Sequence, residues 1–245
     1  LSRKRILIEG RLSNVLAQKG FTNYTDYLNF VFSDKSGKET VTLVNKLTTN
    51  HTYFLREPQH FEFMQKVFLP YIEKTVKDHD VRIWCAASSS GEEPYTIAMI
   101  IDDYFGSRKA GWDLRILATD ISTNVLQKAK NAVYPAESIK NVPQRWREKY
   151  FIKNSDGTYT ITDRIKREVI FKQFNLMDDI VYKKPFDLIF CRNVMIYFDA
   201  PTKDALVERF YDASKKGAYL FIGLAETISK SSRYTFVQPA IYQKK

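Results

Sequence analysis

The sequence predicts an α/β fold in which an open parallel sheet carries helices on both faces, preceded by an all-helical N-terminal unit. Three observations in the 245-residue chain lead to this prediction. Short apolar runs of strand length alternate with helical patterns from residue 81 onward. The chain before that point contains no run typical of a strand. A turn of small residues follows the first apolar run, at the place where such sheets bind ligands.

Helical spacing characterises the N-terminal unit. Apolar residues recur at helical intervals between Ile8 and Leu16, and Gly20 follows as a predicted helix end. A second helix is expected from about Asn23, and a third over residues 41–47. On this basis we expect a helical domain at residues 1–57, a linker helix at residues 58–80 and the α/β domain at residues 81–245.

Four apolar runs are predicted to form the main strands, and helices follow the first three of them. Alternation of this kind is typical of a parallel sheet that is buried on both faces. The four runs are Val81–Ala86, Leu114–Thr119, Phe186–Cys191 and Ala218–Gly223.

Two segments depart from the alternation. The pair Asp156-Gly157 is a strong hairpin turn between β-forming residues, so we expect a small antiparallel insertion over about residues 150–173. The chain's last apolar residues, between Tyr234 and Tyr242, predict a terminal hairpin.

Composition restricts the environment and the partners. The formal net charge of +10 favours an acidic partner, which can be nucleic acid, an anionic membrane or an acidic protein surface. Cys85 and Cys191 both lie in apolar, strand-like runs, which suggests buried thiols in a reducing compartment. With no apolar stretch near the ~20 residues of a membrane helix and no signal peptide, we expect a cytoplasmic protein without membrane insertion.

The turn after the first strand indicates the kind of ligand. Residues 86–94 read AASSSGEEP, with one glycine and no dinucleotide-binding G-x-G-x-x-G. Glu92 and Glu93 would repel a pyrophosphate and suit a cationic ligand such as S-adenosylmethionine, which has a sulfonium, an ammonium group and no phosphate. The alternative is that both glutamates only complement the helix dipole.

Asp120 ends the second predicted strand. An acidic residue at this point of an α/β sheet hydrogen-bonds ribose hydroxyls in nucleotide-binding folds. The alternative is an N-cap for the helix that begins near Ser122.

Five segments between about Leu47 and Glu226 stand out as motifs: LTTNHTYFLRE, WCAASSSGEEPYTIAM, ATDIS, FDLIFCRNVMIYFD and GLAE. In this order they resemble the signatures of CheR-type chemotaxis methyltransferases. The resemblance implies a class I (Rossmann-like) S-adenosylmethionine methyltransferase domain with a small antiparallel β-subdomain, after an all-α N-terminal domain. It implies a protein-glutamate O-methyltransferase that methylates chemotaxis receptors and releases S-adenosylhomocysteine.

The resemblance also implies roles for individual residues. Arg56 would bind the methionine carboxylate of the cofactor, for which a guanidinium is well shaped. Glu92 would meet the amino group and Asp120 the ribose, while Asn175 and Leu176 would lie against the adenine. Thr52 could instead be a simple cap, and Leu176 could be core packing. The full implied cofactor set is Asn50, Thr52, Arg56, Ala86, Glu92, Asp120, Asn175, Leu176, Arg192 and Asn193.

The segment from Arg192 to Tyr197 bears on the reaction type. It lacks the Asn/Asp-Pro-Pro-Tyr that amine methyltransferases often carry, and a glutamate acceptor is already anionic at pH 7, so no general base is needed. We expect Arg192 and Tyr197 to be the catalytic residues, with the Tyr197 hydroxyl orienting the acceptor carboxylate. Aromatic packing is the alternative role for Tyr197. No metal is expected.

The first predicted helix is basic, with Arg3, Lys4, Arg5, Arg11 and Lys19. The resemblance implies contact between this helix and the acidic methylation helices of a receptor, and we assign that contact to Arg5 and Arg11. A solvated helix face is the alternative. We expect a monomer that does not bind nucleic acid.

Two other functions remain open at this point. The positive charge would suit an RNA or DNA methyltransferase, although the chain lacks Asn/Asp-Pro-Pro-Tyr and a cysteine nucleophile in a loop. A sensor module that binds the cofactor without turnover would keep the same pocket residues.

Overall fold

The N-terminal helices form a small unit with its own core. The structure is a computed structural model that describes residues 2–245, and the side chains of Ser2, Arg3, Lys4 and Leu7 lie outside the described part. Leu12, Tyr27 and Val31 are buried at the centre of this unit. Its helices are α1 (Ser2–Lys19), α2 (Tyr24–Ser33) and α3 (Lys38–Leu47).

The ends of these helices confirm the sequence signals. Gly20 follows α1 with a φ of +77°, a left-handed conformation that glycine adopts without strain. Asn23 is the N-cap of α2, and its Oδ1 accepts the N–H of Asp26 at 2.9 Å.

A helical segment then connects this unit to the sheet. Its helices are α4 (Pro58–Phe63) and α5 (Leu69–Thr75), joined by a π-turn at Met64–Phe68. The ring of Phe61 stacks on Phe190 in the sheet, with centroids 6.3 Å apart. The segment therefore belongs to the core of the α/β domain, although the sequence analysis sets it apart as a linker.

The main sheet has seven strands in the order β6-β2-β1-β7-β8-β10-β9 within the described chain. The first five are parallel to their neighbours, and the terminal hairpin that the sequence predicts adds the last two in antiparallel orientation. These strands are β1 (Ile83–Cys85), β2 (Ile116–Asp120), β6 (Val169–Gln173), β7 (Phe186–Cys191), β8 (Ser214–Ile222), β9 (Thr235–Gln238) and β10 (Ile241–Gln243).

Helices cover both faces of this sheet, as the sequence predicts. Alternate residues of a strand point to opposite faces. Ile83 and Cys85 therefore join the core that includes α6 (Glu92–Phe105), while Trp84 joins the core that includes α10 (Ala200–Asp212). A further helix, α7 (Thr123–Asn131), packs against β2 and β6. Within residues 2–245, no helix combines the length and hydrophobicity that crossing a membrane requires.

The antiparallel insertion is present, but its limits differ from the expected 150–173. A three-stranded sheet in the order β3-β5-β4 is built from β3 (Val133–Tyr134), β4 (Phe151–Lys153) and β5 (Tyr159–Ile161). The insertion thus begins upstream, and β6 leaves it to pair with β2 in the main sheet. A two-residue strand has no readable pattern, and alternation alone cannot say which sheet a strand joins.

Ion pairs and hydrogen bonds fix this β-subdomain to α6. The described helices at its margins are α8 (Gln144–Tyr150) and α9 (Asp163–Lys166). Buried Asp102 on α6 accepts hydrogen bonds from the Tyr150 hydroxyl and from Nε of Arg164, both at 2.9 Å. Burial raises the pKa of Asp102, but these donors lower it more, and the net shift is downward.

Replacing Asp102 is expected to loosen the β-subdomain. Asp102→Ala leaves the buried Tyr150 hydroxyl without its main acceptor, so we expect a loss of about 2–3 kcal/mol in the free energy of unfolding, measured by urea denaturation. Asp163→Ala is the control, because Asp163 is exposed and pairs only with Lys166, and it should cost under about 1 kcal/mol. Equal losses in the two variants would contradict the anchoring role.

Candidate active site

One cavity of about 330 Å³ lies beyond the carboxyl ends of β1, β2 and β7. This is the edge where open α/β sheets bind their ligands. Its wall contains every residue of the expected site except Glu92. The expected residues on the wall are Asn50, Thr52, Arg56, Ala86, Asp120, Asn175, Leu176, Arg192, Asn193 and Tyr197.

The serine-rich turn brings its backbone to the cavity. The N–H of Ser88 is bonded to the carbonyl of Thr119 at 2.9 Å, which fixes the turn to the neighbouring strand. Ser89 has a φ of +47°, and its hydroxyl donates to the carbonyl oxygen of Asn50 at 3.0 Å. Gly91, with a φ of +99°, begins α6 in a space where an added Cβ would meet the Tyr134 hydroxyl at 3.0 Å. Glycine suits this position because it adopts a positive φ without strain and has no Cβ to crowd the Tyr134 hydroxyl.

Asp120 is held with its carboxylate at the end of β2. Its two oxygens accept the backbone N–H groups of Ser89 and Ser122, each at 2.9 Å. Burial raises the pKa of Asp120, and the two hydrogen bonds reduce that rise without cancelling it. Ser122 rather than Asp120 is the N-cap residue of α7, with its hydroxyl accepting from Val125 at 3.5 Å.

The two glutamates at the start of α6 have different surroundings. Among the described residues, Glu93 lies on the cavity wall and Glu92 lies behind it, and the contact of Glu92 with the cofactor's amino group stays a prediction. Glu92 is buried, accepts a hydrogen bond from the Ser90 hydroxyl at 2.7 Å, and has a pKa raised by burial. Consecutive helical residues point about 100° apart, so only one of the two can face a given wall.

Arg192 is buried between two carboxylates. Its Nη1 lies 2.6 Å from Oε2 of Glu93, and its Nη2 lies 2.9 Å from Oε2 of Glu57. Nη2 also donates to the carbonyl oxygen of Arg56, and the guanidinium stands over the ring of Phe61. The side chain is only 1% exposed, so its positive charge is balanced by these carboxylates and not by solvent. These contacts hold Arg192 in a fixed position on the cavity wall, and its catalytic role stays a prediction.

The loop after β7 depends on a second carboxylate. Glu226 accepts the backbone N–H groups of Asn193 at 2.9 Å, Gly223 at 2.6 Å and Ile196 at 3.1 Å. The side-chain amide of Asn193 donates to Glu57 at 3.2 Å. The loop is thereby fixed by side chains from two other segments.

Sequence reasoning missed these carboxylates as site residues. Glu57 and Glu226 are the last residues of the segments LTTNHTYFLRE and GLAE, so the motifs themselves contained the two carboxylates. Leu55, Glu57 and Asn193 all have positive φ angles of 57–61°. Such strained backbone tends to persist where surrounding contacts over-determine it, often at functional sites.

Tyr197 and Leu176 both line the cavity, but Tyr197 is exposed and Leu176 is buried. The Tyr197 ring is 44% exposed while lying on the cavity wall, a position that suits contact with a bound molecule more than core packing. Leu176 is 7% exposed, belongs to the core beside α10 and also lines the cavity, and its contact with adenine stays a prediction.

Comparison with known proteins shows the family of the chain. The family described as CheR methyltransferase, SAM binding domain, matches residues 50–242. The chain belongs to the CheR methyltransferase family. The family's all-alpha domain matches residues 2–48, so the two matches meet just after the end of α3, whereas we expect the helical domain to reach residue 57.

Similar proteins come from several bacteria. A chemotaxis protein methyltransferase of Borreliella burgdorferi is 42% identical, and the alignment covers 99% of this chain and 87% of that protein. Chemotaxis protein methyltransferase 2 of Vibrio cholerae is 35% identical, covering 94% of this chain and 80% of that protein. A chemotaxis protein methyltransferase of Escherichia coli K12 is 34% identical, and the alignment covers 98% of this chain and 82% of that protein.

Removing the central guanidinium is expected to destabilise the protein in a pH-dependent way. Burial raises the pKa of Glu57, but Arg192 lowers it more, so the folded-state pKa lies below its ordinary value. This stabilisation is complete above the unfolded-state pKa of about 4.3 and is lost as the pH falls through the folded-state pKa. Arg192→Met should lower the free energy of unfolding by about 3–5 kcal/mol at pH 7. The deficit should shrink on acidification, when the unpaired carboxylates become protonated.

Denaturation in urea at several pH values checks this expectation. Arg145→Met is the control, because Arg145 pairs with Asp103 at the surface and its loss should cost under about 1 kcal/mol at every pH. A deficit for Arg192→Met that stays constant down to acidic pH would contradict the assignment of the ion pairs.

Proposed function

We propose that this protein is an S-adenosylmethionine-dependent protein-glutamate O-methyltransferase that methylates chemotaxis receptors. The observation that carries the proposal is the negative charge at the cavity wall. Glu93 and Asp120 line the cavity together with Arg56 and Arg192, and Glu57 lies behind the wall, paired with Arg192. Three carboxylates therefore meet two guanidiniums, which leaves one net negative charge. Burial, with Arg192 nearby, lowers the pKa of His60 to about 4, so His60 is neutral at pH 7 and does not offset that charge. A cationic, phosphate-free cofactor suits such a wall.

The remaining wall residues fit the other parts of this cofactor. Asp120 offers carboxylate oxygens for ribose hydroxyls. Arg56 offers guanidinium N–H groups for the methionine carboxylate, because among its described hydrogen bonds the guanidinium makes one, from Nη1 to the carbonyl of His51. Asn175 and Leu176 would hold the adenine. When bound, S-adenosylmethionine supplies the methyl group and S-adenosylhomocysteine remains. Glu92 would meet the amino group of the cofactor, and the charge of Glu93 on the cavity wall would add to the negative charge there.

The protein's part in the reaction is to position the acceptor and exclude water. A glutamate carboxylate is anionic at neutral pH, so no residue has to remove a proton. Holding two reacting groups in line within a closed cavity can supply a large part of the rate enhancement. Tyr197 would donate its hydroxyl proton in a hydrogen bond to the acceptor carboxylate. Asn193, fixed by Glu57 and Glu226, would shape the wall near the transferred group.

The proposed partner is the acidic cytoplasmic helix region of a chemotaxis receptor. Arg5 supports this role, because its side chain is 80% exposed on α1 and pairs only with Glu9 among its described contacts. Arg11 does not support it, because its guanidinium bonds to Leu47 and Thr49 within the protein. We further propose that the protein acts as a monomer in the cytoplasm and does not bind nucleic acid; the free, buried thiols of Cys85 and Cys191 agree with a reducing compartment.

Asp120→Asn is expected to weaken cofactor binding. The substitution replaces a charged acceptor by a neutral amide, and hydrogen bonds to charged groups contribute about 1.5–3 kcal/mol, so the Kd for S-adenosylhomocysteine should rise roughly 10- to 100-fold in calorimetry. Asp156→Asn, in the exposed hairpin turn of the β-subdomain, is the control and should leave the Kd unchanged. An unchanged Kd for Asp120→Asn would contradict the assignment of ribose binding to Asp120.

The reaction itself is tested by the stability of its product. The protein is incubated with methyl-labelled S-adenosylmethionine and a receptor cytoplasmic fragment, and the labelled material is then treated with mild alkali. We expect the label to be released as methanol, since carboxyl methyl esters hydrolyse under these conditions. Label that survives alkali would indicate amine or base methylation. Cofactor binding without incorporation of label would indicate a sensor that lacks turnover.

A further inference from the structure

Two side chains of the N-terminal helices hold segments at or next to the wall of the cavity. Arg11, on α1, donates from Nη1 to the carbonyl oxygen of Leu47 and from Nη2 to the Thr49 hydroxyl, the latter at 2.7 Å. Leu47 and Thr49 both line the cavity. A residue of the first helix thus holds the segment that leads from α3 into the site.

Asn45, on α3, makes the second connection. Its Oδ1 accepts the hydroxyl proton of Ser122 at 2.7 Å, and its Nδ2 donates to the Thr123 hydroxyl at 3.1 Å. The backbone N–H of the same Ser122 donates to Asp120. Asn45 is therefore one residue removed from the carboxylate proposed to bind the ribose.

The segment of residues 48–53, which leads from α3 into the site, depends on contacts with other parts of the chain. Residues 48–53 contain no helix or strand, so few backbone hydrogen bonds of their own hold them in place. From the sheet side, the Ser89 hydroxyl bonds to the carbonyl of Asn50. From the helical side, Arg11 bonds to Leu47 and Thr49. The segment is clamped between the two domains, and its inner surface is cavity wall.

We propose that Arg11 and Asn45 are positioning residues for the cofactor, and that the N-terminal helical domain is consequently part of the cofactor site. The inference rests on the proposed function, because it takes the cavity to be the S-adenosylmethionine site. Arg11 fixes the wall formed by residues 47–49, and Asn45 fixes the turn that follows Asp120. Neither side chain has to touch the cofactor for its loss to weaken binding.

Calorimetric binding of S-adenosylhomocysteine to the full chain, without receptor, tests the proposal. Arg11→Ala and Asn45→Leu should each raise the Kd roughly 5- to 30-fold, because each removes two hydrogen bonds that order the wall. Arg5→Ala is the matched control on the same helix and should leave the Kd unchanged. In the receptor assay, Arg11→Ala should raise the KM for S-adenosylmethionine and change kcat little.

Conservative variants separate positioning from a general loss of structure. Arg11→Lys keeps a donor for one of the two acceptors, and Asn45→Asp keeps the acceptor for Ser122, so both should bind more tightly than Arg11→Ala and Asn45→Leu. Melting temperatures without ligand should be close to the wild-type value in all four variants. Weakened binding that follows the melting temperature from variant to variant would overturn the positioning role.

The result for the unmodified protein distinguishes this inference from the function on which it rests. If the wild-type protein does not bind S-adenosylhomocysteine, the proposed function fails and the inference fails with it. If the wild-type protein binds, and Arg11→Ala and Asn45→Leu bind as tightly, only the positioning role is overturned. A Kd that rises equally in Arg5→Ala would likewise overturn it.

Discussion

The buried guanidinium of Arg192 is the constraint on which the site depends. A charge in the interior is tolerated only when it is paired and hydrogen-bonded, and Arg192 meets Glu57, Glu93 and the carbonyl of Arg56. These partners belong to the loop before α4 and to the first turn of α6, while Arg192 follows β7. One side chain therefore fixes the relative positions of three segments, and all three contribute to the cavity wall.

This ionic link explains why strained backbone survives around the cavity. Glu57 and Asn193 adopt left-handed conformations that cost free energy in non-glycine residues. The carboxylate of Glu57 pairs with Arg192, and the backbone N–H of Asn193 donates to Glu226. The contacts around each strained residue outweigh the strain, so the loops keep the shape that the cavity requires.

The sequence predicted the elements better than their long-range partners. Periodicity and capping gave α1 to α3 and the main strands, because these signals are local. The two-residue β3 and the sheet membership of β6 depend on pairing, which no local pattern contains. For the same reason the sequence did not predict the partners of the buried Glu92 and Arg192, the Ser90 hydroxyl and the Glu93 carboxylate, because helix phase and tertiary packing decide what each side chain meets. The domain limits and the individual cofactor contacts remain predictions.

The clamp from the helical unit has a consequence for how proteins of this kind can diversify. Exchanging the whole unit for one of different ancestry would remove both Arg11 and Asn45 and disturb a wall that the sheet domain does not build alone. New partner preferences therefore have to evolve by substitutions on the outward faces of α1 to α3, with the inward contacts retained. The two parts of the chain are constrained to evolve as one enzyme.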